Sequence, residues 1–372
     1  MERINLMTNR KLAAVGAYIY AGGFTVGVKQ AGFDVLAHLE GADGYGTKVV
    51  ERNFPNLPIY RGESEWEDFL DKLDRPIDMV YGNPPCAAWS NANPKSHKPG
   101  SWEKDARVIC TEQHFTLLLR LQPKIWIWES VTQVLKKGKP FVDSLTRKAL
   151  DAGYSVSYIL HDAQYLGVPQ TRKRWFMVCH NREFRPAVSD WAVTTAGKAL
   201  NGVAAGNRLA CTRKHIAKLG PMLRKLTPGK RLSKFWEDTI APDRTKWSYK
   251  SNGAVIGRPA FGHTRLRSDL PATATVGYAM VHPVEHRFLS LREVQILAGF
   301  PEDYDFNVTN SRWCAPELVL IARGVCPPVG KWIARAARKA IKEDKKVKTP
   351  VVTLYDYRKP GIEPVDLTME YI

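Results

Sequence analysis

The sequence predicts an α/β fold built on a doubly wound sheet. Short apolar runs alternate with amphipathic stretches through the first half of the chain. The first run ends in a glycine cluster, and Glu40, Cys86 and Glu129 each stand at or just past the end of a run. Alternating strands and helices imply parallel strands with helices on both faces. Ligands of such sheets bind beyond the carboxyl ends of the strands, where these residues fall.

Ala14–Tyr20 reads as the first buried strand, with Gly22, Gly23 and Gly27 after it. Val35–Leu39 is a second apolar run, closed by Glu40. Ile77–Tyr81 is a third and runs into Gly82-Asn83-Pro84-Pro85. The spacing over Asp105–Leu121 predicts a helix with Asp105 as N-cap. Ile125–Trp128 is followed at once by Glu129, and Tyr154–Leu160 and Trp175–Cys179 complete the strands. After His180 the pattern changes. Residues from about 183 to 280 show weak periodicity and many breakers, and Arg213–Lys234 carries eight Lys or Arg and no acid. A helical pattern returns at Arg287, with Ser290 a predicted N-cap, and Val329–Ile341 reads as the final helix. The expected boundaries are a first domain over 1–182, a smaller basic domain over 183–282, a return to the first domain over 283–342, and an extended tail over 343–372.

With 372 residues, 44% hydrophobic and 25% charged, the chain is long and apolar enough for a large core, which excludes wholesale disorder. Lys and Arg number 55 against 37 Asp and Glu, a net charge of +18, so a polyanion is the expected partner. Charge alone does not separate nucleic acid from an anionic membrane surface. No apolar run approaches the length of a membrane span, and the opening MERINLMTNRKL lacks the apolar core of a secretion signal. The six cysteines contain no CxxC pair, against a zinc knuckle or a disulfide framework. A cytoplasmic protein with reduced thiols and no metal is the expectation.

Each candidate group has a plain structural reading beside its chemical one. The glycine cluster is a tight strand–helix turn, or a cradle that brings a ligand close to backbone at a helix N-terminus. Glu40 can accept both hydroxyls of a ribose. Cys86 is a buried thiol, or a nucleophile if nearby charge lowers its pKa. Glu129 weighs for the second reading, because an acid behind four apolar residues is costly without a partner or a task. In Tyr165-Leu166-Gly167-Val168-Pro169-Gln170-Thr171-Arg172-Lys173-Arg174, Arg172 and Arg174 share a face if the backbone is extended.

In order and spacing this set resembles the DNA (cytosine-5)-methyltransferase family over nearly the whole chain, apart from the middle domain and the tail. The matching elements are Tyr20-Ala21-Gly22, then Pro85-Cys86, then Glu129-Ser130-Val131, then Gln170, Arg172 and Arg174. After the variable segment come Arg287, Leu289, Ser290, Arg292, Glu293 and Gly299-Phe300-Pro301, and finally Ala322, Arg323, Val325 and Pro327. The resemblance implies a Rossmann-like S-adenosylmethionine-dependent methyltransferase fold with a smaller target-recognition domain, acting as a monomer on double-stranded DNA and not on a membrane. It implies Cys86, Glu129, Arg172 and Arg174 as the catalytic set. Tyr20, Ala21, Gly22, Gly23, Phe24, Glu40, Glu63, Asn83, Pro84, Arg323 and Val325 would hold the cofactor. Gln170, Ser90, Lys95, Arg213, Lys214, Arg224, Lys225, Lys230 and Arg231 would contact DNA. The implied chemistry is attack of Cys86 on cytosine C6, transfer to C5, and release, on a base flipped out of the duplex while the loop Ser90–Trp102 closes behind it.

The departures from the family pattern cluster around cofactor and base. Tyr18 replaces the acid that opens the cofactor loop. Gly41 replaces the aromatic after the ribose-binding acid. Ala87 replaces a glutamine, Ser130 an asparagine and Ala298 a glutamine. Arg323 replaces a nearly fixed asparagine. A guanidinium there would suit a donor with a carboxylate on the transferred carbon, carboxy-S-adenosylmethionine, giving 5-carboxymethylcytosine. The alternatives are a tRNA cytosine-5 methyltransferase, an exocyclic-amino DNA methyltransferase, for which Asn83-Pro84-Pro85 matches three of four loop positions, and a non-catalytic DNA-binding module.

Overall fold

The computed structural model describes residues 10–188, 192–205, 223–231, 249–251, 254–256, 264–274, 280–309 and 314–359. The chain forms two compact units. One comprises Met1–Leu166, Lys173–Ala192 and Gly324–Ile372, and the other Gly167–Arg172 and Val193–Arg323.

The first unit is a Rossmann-like α/β body. Its sheet contains β1 (Ala13–Ala17), β2 (Asp34–Glu40), β3 (Ile59–Arg61), β4 (Met79–Gly82), β5 (Ile125–Ser130), β6 (Ser155–Asp162), β8 (Lys173–His180) and β12 (Val352–Tyr357). Their order across the sheet is β12-β6-β8-β5-β4-β1-β2-β3. Every residue of β1, β4, β5 and β6 is buried, so β1 and most of β4 and β5 read as apolar runs, while β6 also buries Ser155, Ser157, His161 and Asp162. Trp89, Trp126, Trp128 and Trp175 are fully buried at the centre of the core. The helices are α1 (Gly23–Gln30), α2 (Tyr45–Asn53), α3 (Gly62–Asp71), α4 (Ile109–Leu121), α5 (Lys139–Asp151) and, after the second unit, α9 (Pro327–Glu343).

The sheet is mixed, not wholly parallel. β8 runs antiparallel to both β5 and β6, because the short link after β6 returns the chain beside it without a crossover helix. β1 ends three residues earlier than expected. Tyr18 and Tyr20 both take left-handed backbone (φ 56°), and the Ile19 N–H is captured by the Glu40 side chain, so the strand cannot continue. Part of the expected extended tail enters the sheet. β12 pairs parallel with β6 from Val352 beside Val156 to Tyr357 beside His161, and buries Val352, Tyr355 and Tyr357.

In the second unit β7 (Gln170–Thr171) pairs with β11 (Ala272–Thr273), and β9 (Tyr249–Ser251) with β10 (Ala254–Ile256). Residues 283–323 cluster here and not with the first unit. The Leu289 N–H donates to the Met280 carbonyl (2.8 Å) and His282 N–H to Arg287 (2.9 Å). The helices of this unit are α6 (Ala196–Leu200), α7 (Leu291–Leu297) and α8 (Ala315–Arg323). Ser290 caps α7 as expected: its hydroxyl accepts from Glu293 N–H while Glu293 accepts from Ser290 N–H. Arg287 grips both oxygens of the fully buried Glu293 at 2.7 Å. Arg265, itself buried, donates to the carbonyls of Leu223, Leu226, His282 and Glu285.

Candidate active site

The carboxyl ends of β1, β2 and β3 form one half of the site. Gly22, left-handed at φ 78°, turns the chain into α1 with its own N–H donating to the Ile19 carbonyl (3.2 Å), so Gly23 and Phe24 present the first backbone amides of that helix. Beside them Glu40 ends β2, and its Oε1 accepts the Ile19 N–H at 2.7 Å. Burial pushes the Glu40 carboxyl up to about 8, against the opposing pull of the Ile19 amide and Arg61. Trp66 Nε1 fixes the Glu40 carbonyl at 3.1 Å. An amide-rich turn beside a buried acid is the donor and acceptor set a nucleoside needs, so these residues fit the expected cofactor. The Phe24 side chain does not take part. It is fully buried against Tyr81 and Phe176. Gly27 is likewise a packing residue: a Cβ there would lie 2.3 Å from Lys331 N and 2.5 Å from the Pro327 carbonyl of α9.

The ends of β4 and β5 form the other half. Asn83 and Pro84 are buried, and Cys86 is half-buried at the start of a tight turn in which its carbonyl accepts from Trp89 N–H and Ser90 N–H, both at 3.1 Å. Trp89 anchors that turn, stacked on Phe141 (5.7 Å) and edge-on to Trp128 (5.9 Å). Glu129 is buried one position beyond Trp128, the register partner of Gly82. The Asn83 amide donates toward its Oε2 at 3.5 Å, and Arg174 Nε lies 3.4 Å from its Oε1. The half-buried thiol and the acid with its guanidinium therefore sit on neighbouring strand ends.

The loop after Cys86 is tied to itself. The Asn93 amide donates to the Ala87 carbonyl (2.9 Å), Ser96 to the Ser90 carbonyl (2.6 Å), and Lys137 to Ser96 (3.1 Å). The Ser90 hydroxyl accepts from Ala92 N–H, and Lys95 is exposed. Lys95, Lys104 and Arg107 line a cavity of about 350 Å³ beside Ala88. Arg107 is held by both oxygens of Asp105 (2.8 and 2.6 Å), a pairing that raises its pKa. Nothing in the spacing of this stretch separates Arg107 from its basic neighbours.

These features match a known family. The sequence profile of the C-5 cytosine-specific DNA methylases matches residues 17–339. The chain belongs to that family. It is 24% identical to the type II methyltransferase M1.HphI of Haemophilus parahaemolyticus, over 79% of each chain. It is 22% identical to M.FnuDI of Fusobacterium nucleatum, over 90% of this chain and 97% of that one. The match to M.HindV of Haemophilus influenzae is 27% identical but spans only 45% of this chain and 52% of that protein. The fold is shared with a prophage-encoded E. coli protein described as a DNA modification methyltransferase (TM-score 0.64, 21% identity, 89% of this chain and all of that one). It is shared also with the Entamoeba histolytica methyltransferase EhMeth (TM-score 0.58, 13% identity, 90% and 99% covered).

The remaining expected residues divide between the two units. Gln170 and Arg172 are buried within the second unit, where Gln170 Nε2 approaches the Leu297 carbonyl at 3.4 Å. Arg174 belongs to the first unit, so the Gln-x-Arg-x-Arg segment divides between the two. Arg323 is exposed at the last residue of α8, and Val325, two residues on, is buried. Arg224, Lys225, Lys230 and Arg231 are exposed, whereas Arg213 and Lys214 lie outside the described residues. Among the described residues no helix is long and apolar enough to cross a membrane, and no cluster of His, Cys, Asp and Glu is placed to hold a metal ion.

Proposed function

We propose that the protein modifies cytosine in DNA at C5 through a covalent intermediate on Cys86. The observation that carries this reading is the pairing of Cys86, on its anchored turn after β4, with Glu129 at the end of β5, held by Asn83 and Arg174. Attack of the Cys86 thiolate on C6 forms an S–C6 bond and places the ring's electron pair at C5. Glu129 stabilises the charge that builds on the N3 and N4 edge. Glu40 and the amides of the Gly22 turn hold the donor nucleoside. S-adenosylmethionine bound there would supply its electrophilic sulfonium carbon to C5, the C–S bond breaking to release S-adenosylhomocysteine. Loss of the C5 proton to a base then expels Cys86 and restores the aromatic ring. Reaction inside a duplex requires the base to be flipped out, and the basic residues Arg224, Lys225, Lys230 and Arg231 suit phosphate contacts.

Arg323 supports a finer reading, in which the transferred carbon bears a carboxylate that this guanidinium pairs with. One experiment addresses both. Duplex DNA incubated with purified protein and either S-adenosylmethionine or its carboxylated analogue is digested and weighed by nucleoside mass spectrometry. A cytosine heavier by a methyl group is expected with the first donor, and one heavier by a carboxymethyl group with the second if Arg323 selects it, a preference that R323N would reverse. C86A should abolish the product by ~10³-fold or more, and DNA containing 5-fluorocytosine should trap the wild-type protein covalently. Modified RNA without modified DNA, or an N4-modified cytosine, would overturn the reading.

A further inference from the structure

The positive charge of the first unit gathers on a surface that the candidate site does not use. Residues 331–348 carry eight Lys or Arg against two acids. The apolar face of α9 is buried from Ile333 to Ile341, so Arg335, Lys339 and Lys342 form one exposed stripe along its other face. Beyond α9 the chain crosses the sheet as a strap. Asp344, left-handed at φ 53°, turns it. The Glu183 N–H donates to the Lys345 carbonyl (2.8 Å) and the Val347 N–H to the Asn181 carbonyl (3.2 Å), before β12 begins at Val352. Lys345, Lys346 and Lys348 are exposed on this strap, with Glu183 exposed beside it. The other acids are neutralised. Arg182 Nε holds Asp344 at 2.5 Å, Lys339 lies 3.8 Å from Glu343, and buried Asp78 takes Arg10 and Lys124. Among the described residues, no carboxylate pairs with Arg335, Lys342, Lys345, Lys346 or Lys348. Lys124, 4.0 Å from Asp344, directly precedes β5, as Asp78 precedes β4. The strap therefore lies at the amino ends of the strands, whereas Glu40, Cys86 and Glu129 stand at the carboxyl ends. Strands of eight residues put roughly 25 Å between the two.

We propose that α9 and the strap form a second nucleic-acid surface, which holds the phosphates of a duplex segment other than the one at the candidate site. It takes from the proposed function only that DNA is the first segment. Exposed cations that recur about every 6 Å along a helix suit a phosphate backbone, and counterion release drives the contact. A single duplex does not serve both ends of the sheet. It would have to reverse direction within a few helical turns, well past the roughly 40–90° that a bound site of about 20–30 bp takes. An anionic membrane fits less well, because a helix lying on a bilayer needs an apolar face. Trp332, the aromatic residue of α9, is engaged by the Ala187 carbonyl (2.9 Å) and by Tyr357 (5.1 Å between ring centroids), and the exposed Val188 and Val351 are small. Held at the strap, the enzyme can pass between segments of long DNA without first dissociating.

The test fills the site first. Full-length protein is trapped with S-adenosylmethionine on a short duplex containing 5-fluorocytosine, and the purified adduct is titrated with a second, labelled duplex by fluorescence anisotropy. The adduct should bind it with a Kd of about 1–100 μM at physiological salt, and the affinity should fall steeply as salt rises. K342E/K345E/K346E, checked by melting temperature, should form the adduct at the wild-type rate. It should bind the second duplex at least about tenfold more weakly, with a log–log salt slope shallower by roughly two to three. K342Q/K346Q carries the test if the triple reversal does not fold, with a slope shallower by about two. An adduct that ignores the second duplex, or a variant that binds it as wild type does, overturns the surface. So does wild-type protein that prefers phosphatidylserine vesicles to duplex at equal phosphate. If no adduct forms, the proposed function fails by itself. The same variants are then compared on plain duplex, where wild-type affinity and salt slope overturn the surface as well.

Discussion

At Glu40, burial and function pull on the same proton in opposite directions. The folded value of about 8 lies above the ordinary 4.5, because the carboxylate is desolvated. Folding therefore takes up a proton. The stabilisation is complete below about 4.5 and is lost as pH rises to about 8. A ribose, however, donates two hydroxyls and prefers the ionised acid. The ligand-free protein should thus lose melting temperature between about pH 4.5 and 8, while its affinity for S-adenosylhomocysteine rises as Glu40 ionises around pH 8. E40Q should flatten both curves, melting higher than wild type at pH 9 yet binding about tenfold more weakly there. Thermal scans and titration calorimetry at matched pH check both, and an E40Q variant that keeps the wild-type slopes would remove Glu40 from this role. Glu40, Cys86 and Glu129 were legible in the sequence because a polar residue at the end of an apolar run stands out. The hydrogen-bond chain from Tyr18 through Gln113 to Glu63 was not, since 95 residues separate the first two and neither type is unusual where it stands.

At the scale of the element, the turn that carries Cys86 owes its shape to Trp89. The ring fills a pocket between Trp128 and Phe141, and Gly138 is a glycine because a Cβ there would lie 2.5 Å from the Trp89 indole nitrogen. W89A should cost ~3–5 kcal/mol in denaturant unfolding, as loss of a buried aromatic does. W89F should cost less, and its kcat should fall further than its melting temperature predicts if the ring orients Cys86. G138A should resemble W89A, because the indole must move to admit the new methyl. Wild-type stability in G138A would show the turn to be held by something else. The same helix-level logic reassigns Gly27. Its place in a glycine-rich run suggests a ligand cradle, but the run combines a left-handed turn at Gly22 with a helix–helix contact at Gly27, two uses that look alike in a string of letters.

For the molecule as a whole, the division into two units has a consequence for the second. It holds a buried guanidinium, Arg265, whose described partners are four carbonyls and the His286 ring, with no carboxylate among them. R265M should leave those carbonyls unpaired and destabilise this unit by ~2–5 kcal/mol. Limited proteolysis should then cut first within 193–323 while the first unit stays protected. Equal loss of protection in both units would mean that they unfold together. The segment from 283 to 323 packs within this unit, although its helical pattern resembles that of the first.

By itself the sequence determined the strand–helix alternation, the strand ends that carry Glu40, Cys86 and Glu129, the Ser290 cap and the family. All of these rest on local periodicity or on short-range spacing, which a linear string preserves. Only the tertiary structure decided that β8 runs antiparallel, that the tail supplies the edge strand β12, and that Tyr18 stands over Gly41. Each of these depends on which distant segments share a face, and that is settled by the burial of surfaces far apart along the chain.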